Sequence, residues 1–183
     1  MKAKVVGIAL FVLLVLNGCG SAREPISDAQ WDRLERIVSE RNFKIEAQWA
    51  EPLPDNSLNN LANAGLLPPG STASRINLIG NANYLTMNGD SVKTQLPYWG
   101  ERQTLQAYGQ TEGISFDGLA ENIRSRKNEK QQYYDLDFNL RNKSELLQCT
   151  LRFYAGKRVL ITVQSNLRNQ IRYDAIFTEL SDE

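Results

Sequence analysis

Residues 133–177, YYDLDFNLRNKSELLQCTLRFYAGKRVLITVQSNLRNQIRYDAIF, read as strands laid end to end. Tyr134, Leu136, Phe138 and Leu140 share one face, with Tyr133, Asp135, Asp137 and Asn139 opposite. After a turn at Asn142-Lys143, Leu147, Cys149, Leu151 and Phe153 alternate with Gln148, Thr150 and Arg152. After Gly156-Lys157, Val159, Ile161 and Val163 alternate with Leu160, Thr162 and Gln164. After Asn166–Asn169, Ile171, Tyr173, Ala175 and Phe177 alternate with Arg172 and Asp174. Side chains on a strand point to opposite faces in turn, so each run has one dry face and one wet face. Short polar turns between such runs predict an antiparallel meander.

A sheet with one apolar face must cover it. The cover is expected upstream, in Arg75–Gly100, RINLIGNANYLTMNGDSVKTQLPYWG. Asn83–Met87 and Ser91–Leu96 flank Asn88-Gly89, a pair that tolerates the positive φ of a type I′ hairpin turn. Leu96-Pro97 stops the second run, because proline has no N–H for a ladder. About eight or nine strands in all predict a mainly β, α+β fold. The antiparallel sheet is expected to be closed or partly closed into a barrel, or to form a two-layer sandwich, with one N-terminal helix.

The motif LPYWGE, the GDSV turn before it and the upstream GLLPPGS together resemble an uncharacterised family of Bacteroidetes lipoproteins, domain of unknown function 4251. The resemblance runs from Phe43 through Asp174. It implies secretion, a mostly β domain and no established activity, and it supplies no catalytic residues.

The start of the chain reads as an export signal. Lys2 and Lys4 precede the apolar run Val5–Leu16, which falls short of the roughly 20 residues that span a bilayer. Leu16-Asn17-Gly18-Cys19 then resembles a lipobox. The organisation expected is a signal peptide over 1–18, a lipidated tether over 19–26 and one β-rich domain over 27–183. Acyl chains on Cys19 would anchor the protein in a membrane, several chains holding where one gives only marginal binding. Gly20-Ser21-Ala22 lacks the acidic cluster that marks surface export in this bacterial group, so a periplasm-facing envelope location is expected.

Ser27 with Gln30 forms a capping box, and Trp31, Leu34 and Val38 make a stripe with Ile37 at its edge. That predicts a helix ending near Asn42 whose stripe packs on the domain. Phe43, Ile45, Ala47 and Trp49 predict one side of a half-buried strand ended by Pro52 and Pro54. Asn56–Gly70 reads as irregular, with Leu66-Leu67 plugging one end of the core. Glu101–Gly113 reads as a long loop, Ile114–Phe116 as a short strand turned by Asp117-Gly118, Leu119–Arg126 as another strand and Lys127–Lys130 as a charged turn.

Chemistry is limited mainly by exclusion. Lys+Arg 21 balances Asp+Glu 21, which gives no basic face for nucleic acid. With no histidine, Ser-His-Asp and Cys-His catalysis and the commonest zinc sites are unavailable. Cys149, between Leu147 and Leu151, is expected to be a buried inert thiol. No Ser-x-x-Lys and no phosphate-cradling glycine loop occurs past the signal, and no catalytic residue, metal site or cofactor is expected. Asp135 and Asp137 stand about 7 Å apart on one strand face, a spacing that paired glycosidase carboxylates use. Cross-strand pairing with Arg152 and Arg172 is the simpler account of them.

Tyr84, Tyr98, Trp99 and Tyr108 are candidate contacts for a ligand or partner, against the alternative that they close one end of the core. Asp90-Ser91-Val92 matches a three-residue O-glycosylation pattern, with Ser91 the acceptor. The leading expectation is a lipid-anchored envelope protein that binds a protein, glycan or lipid without turnover. The alternatives are a hydrophobe carrier built as a half-barrel, and a glycan hydrolase using Asp135 and Asp137.

Overall fold

In the computed structural model, which describes residues 26–100, 113–142 and 145–180, the C-terminal runs form the predicted meander. Strands β7 (Tyr133–Asn142), β8 (Glu145–Tyr154), β9 (Arg158–Ser165) and β10 (Ile171–Glu179) pair in sequence, all antiparallel. Leu136, Phe138, Leu140, Leu151, Phe153, Ile161 and Phe177 are buried on the inner face, as the alternation requires.

The remaining strands continue the same sheet. They are β1 (Asn42–Pro52), β2 (Ile76–Asn77), β3 (Tyr84–Asn88), β4 (Ser91–Leu96), β5 (Ile114–Leu119) and β6 (Glu121–Asn128). The sheet has ten strands in the order β5-β4-β3-β1-β10-β9-β8-β7-β6, with β2 beside β1. Its two edge strands, β5 and β6, are separated in sequence only by Ala120, whose N–H donates to the Asp90 carbonyl at 2.8 Å. The chain therefore draws the two ends of the sheet together, and the sheet is nearly closed into a barrel, not stacked as a sandwich. Phe43, Phe153 and Phe177 fill the interior edge to face, with ring centroids 5.1 and 5.2 Å apart.

Helix α1 (Asp28–Glu40) carries the full capping box at Ser27 and Gln30 and stops at Arg41, which takes the left-handed conformation. Leu34, Ile37 and Val38 are buried in the barrel core, so the stripe packs on the domain. Trp31 meets Tyr134 edge to face at 5.6 Å, and the Tyr134 hydroxyl donates to Glu35 at 3.0 Å.

Four local expectations are corrected. Asn56–Asn63 is a second helix, α2: Asp55 caps it by accepting the Leu58 N–H at 2.7 Å, and Leu58 is buried. Of the Leu66-Leu67 pair only Leu67 packs on the core, while Leu66 is 69% exposed. Asp117-Gly118 does not turn but continues β5 against Lys93 and Val92, so the bend falls at Ala120. The hairpin turn is Gly89-Asp90, because Asn88 is paired with Ser91 and Asn42. Only Gly89 there has positive φ, at 56°, which a glycine at the first central position of a II′-type turn supplies without strain.

Trp49 also departs from its expected side. A register shift between Ala47 and Trp49 reverses the alternation on β1, so Ala50 is buried and Trp49 lies under the Arg75 guanidinium on the outer wall, 4.7 Å away. At this shift β3 no longer pairs with β1, and Asn83 takes over. Its side chain accepts the Ala47 N–H at 2.8 Å and donates to the carbonyls of Ala47 and Asn81 at 3.1 and 3.0 Å.

Asn83 is 5% exposed, so Asn83→Ala strands two backbone groups away from water. The variant should lose about 3 kcal/mol in urea unfolding, whereas the exposed Asn81→Ala should stay within about 0.5 kcal/mol. Tyr134 provides a second check. Burial first, and then the bond to Glu35, push its pKa from 10.0 up to about 12. The neutral phenol is the form that the fold favours, so this stabilisation is complete below pH 10 and lost as pH rises from 10 to about 12. Trp31 fluorescence should report that transition, and Glu35→Gln should move it part of the way back toward 10.

Candidate functional site

The outer wall of the meander carries the chemistry. Asp135, only 4% exposed, accepts a bidentate pair from Arg152 at 2.8 and 3.1 Å. This bond holds the Arg152 guanidinium further above its ordinary range, and the same group stacks 3.8 Å from the Tyr133 ring centroid. Asp137 accepts Arg126 Nη2 at 2.8 Å on one oxygen and the Thr150 hydroxyl at 2.7 Å on the other. Asp174 takes Arg158 at 3.0 Å, and Arg172 lies 3.4 Å from Glu51. Both carboxylates of the Asp135–Asp137 pair are thus committed to cross-strand partners.

Beside this ladder lies an open groove of about 500 Å³ spanning the outer faces of β6 to β9. The ladder sets its contents, with Arg124 opposite Asp137 and Asn139 opposite Gln148, itself opposite Gln164. Arg126 and Thr150 occupy Asp137, so Arg124 has no ion-pair partner among the described residues. Thr162, Asn139 and Gln148 likewise make no side-chain hydrogen bond there, and Gln164 only donates, to Gln170 at 3.3 Å. Asn122 closes the rim where β6 leaves the ladder, with φ of 55°. The groove therefore offers one guanidinium and a row of amides and hydroxyls to something outside the protein. A second depression, of about 550 Å³ near Leu53, contains Arg75 and Arg172, but both of these face carboxylates.

The aromatic candidates are placed differently. Tyr98 donates to the Asn169 carbonyl at 3.2 Å under the Arg168 guanidinium, and the Pro97 carbonyl accepts the Tyr173 hydroxyl at 2.8 Å. Arg168 in turn is bidentate to Glu145 at 2.7 and 2.9 Å, with both side chains close to nine-tenths buried. Gly113 fits against Leu96 because it lacks a Cβ, which would run into the Leu96 carbonyl oxygen. Tyr98 and half-buried Trp99 therefore lie where the chain closes one end of the barrel. Tyr84 alternates with buried Leu85 and points to the outer wall, away from them. Tyr108 and Cys19 lie outside the described residues. Ser91 opens β4, half-buried between Asn88 and Leu119.

Sequence reasoning had placed Thr150, Thr162, Gln148 and Gln164 on the wet face without assigning them a role. Their equal rank on adjacent strands was the available signal. Cys149 is fully enclosed, and burial pushes its thiol up to about 12. Ellman's reagent should leave it unmodified in the native protein and label it once urea unfolds the chain.

The comparisons follow the same architecture. A crystal structure of a DUF4251 family protein from Bacteroides eggerthii superimposes with a TM-score of 0.54 at 13% identity, covering 82% of this chain and 88% of that one. At that identity the likeness is one of fold. No curated protein matches. The sequence profile of DUF4251, a domain of unknown function, matches residues 27–175, and the chain belongs to that family.

Proposed function

We propose that the chain is a lipid-tethered, periplasm-facing envelope protein that binds a ligand in the outer groove of β6–β9 without turning it over. The single observation that carries this reading is Arg124, without an ion-pair partner among the described residues, beside Asn139, Gln148 and Thr162, whose side chains make no hydrogen bond among those residues. The absence of histidine from the sequence, the sealed thiol of Cys149 and the committed carboxylates of Asp135 and Asp137 all argue against turnover. The carrier reading needs an apolar hollow. The barrel interior is instead packed with Phe43, Phe138, Phe153, Phe177 and Tyr173.

A tether over 19–26 would be short: helix α1 begins at Asp28 after its cap Ser27, and eight residues fully extended reach at most roughly 25–30 Å. Acyl chains on Cys19 would hold the groove near a membrane surface, where an envelope-borne ligand is concentrated. Palmitate fed to cells making the protein should label the wild type and not Cys19→Ser; an unlabelled wild type removes the tether. For the groove, the isotope-labelled chain is titrated with solubilised envelope. The side-chain amide signals of Asn139, Gln148 and Gln164 should shift, and fixed signals there while others move would place the ligand elsewhere.

A further inference from the structure

The chemistry lining the groove is specific enough to name a ligand class. Its floor is the face of a paired sheet, so the backbone N–H and C=O groups there are already spent in ladders. An extended peptide docks by adding to a sheet edge, and the β7–β9 floor offers none, the edge strand β6 lying at the rim. What remains is side-chain amide and hydroxyl. Asn139, Gln148 and Gln164 each offer an N–H₂ and a carbonyl oxygen, and Thr162 offers a group that donates and accepts. Sugar hydroxyls also donate and accept, so they match this array. Adjacent strands lie about 4.8 Å apart, so three amides in register span roughly 10 Å, a disaccharide's reach.

The charge narrows the class further. Arg124 presents a guanidinium fork, which recognises planar carboxylate in bidentate fashion. Asp137 does not neutralise it, because Arg126 at 2.8 Å and the Thr150 hydroxyl at 2.7 Å hold that carboxylate. Neutral sugars are commonly held by an aromatic platform, yet among the described residues the one aromatic along the groove is Phe138, 2% exposed and turned into the core. We infer that the groove takes an acidic oligosaccharide, with the ring carboxylate on Arg124 and the ring hydroxyls on Asn139, Gln148, Thr162 and Gln164. This rests on the binding reading above and adds the ligand class to it.

The test is calorimetric titration of the full chain in detergent with digalacturonate, its methyl ester and a glutamyl dipeptide. Digalacturonate should bind saturably, and the ester should bind at least about tenfold more weakly. Arg124→Gln should reduce the acid's affinity to that of the ester, with Arg124→Lys falling between them. Arg124 is exposed on an edge strand, so the melting temperature should not change, and this is measured alongside. Thr162→Trp, which fills the groove, should abolish binding of both saccharides. Equal affinity for acid and ester, indifference to Arg124→Gln, tighter binding of the dipeptide, or no binding of digalacturonate would each overturn the acidic-sugar inference while leaving the groove to its own test. Digalacturonate binding that survives Thr162→Trp would overturn the groove itself.

Discussion

Strand β1 has to be hydrogen-bonded along both edges, and the barrel is built around how that is achieved. Along one edge β10 runs beside it from Phe43 to Pro52, broken by the register shift between Ala47 and Trp49. The other edge is served in relay. β3 pairs with Asn42–Ile45, the Asn83 side chain serves Ala47, Leu78 N–H donates to the Gln48 carbonyl at 2.9 Å, and β2 pairs with Trp49 and Ala50. Buried backbone polar groups are costly to leave unpaired. A side chain that imitates a strand residue lets β3 diverge without that cost. Among the described residues β1 alone lies between the β3–β5 strands and the meander in the sheet order, so this relay also makes the two halves one sheet.

The same accounting explains the outer wall. The registers put Arg152 directly opposite Asp135, while Arg126–Asp137 and Arg158–Asp174 bond along the diagonal between neighbouring strands. Exposed pairs of this kind contribute little each. Buried Asp135 differs, since its charge depends on Arg152 for compensation. Within the meander's outer wall Asp137 is opposite Arg124 but bonded to Arg126, one pleat repeat along. That diagonal choice leaves Arg124 available to a ligand.

How legible all this was depends on whether local pattern and tertiary context agree. The meander alternates strictly, and α1 announces itself by a capping box and a stripe, so both stand where the residues put them. Asn56–Asn63 hid because asparagine is a poor helix former, although Asp55 followed by Leu58 and Leu61 carried a cap and a stripe. Trp49 pointed the wrong way because one extra residue in a strand inverts every later side chain. Asp117-Gly118 looked like a turn by composition, but pairing with β4 kept it extended. The groove was the least legible feature. Its residues were assigned to the correct face, but the concavity comes from backbone geometry that no residue type encodes.

That geometry ties the site to the fold. A regular sheet face is nearly flat and encloses little. Here β6 slips out of register with β7 between Glu121 and Arg124, and Asn122 adopts a left-handed conformation with φ of 55°. Irregularities of this sort favour barrel rims and re-aim side chains. The slip lies one residue beyond Ala120, where the chain passes from its pairing with β4 to its pairing with β7 and so brings the ends of the sheet together. The bend that nearly closes the barrel is therefore continuous with the bulge that opens the groove and frames Arg124. A substitution straightening this corner would have to disturb both, since the strand cannot rejoin the β7 ladder earlier without abandoning β4.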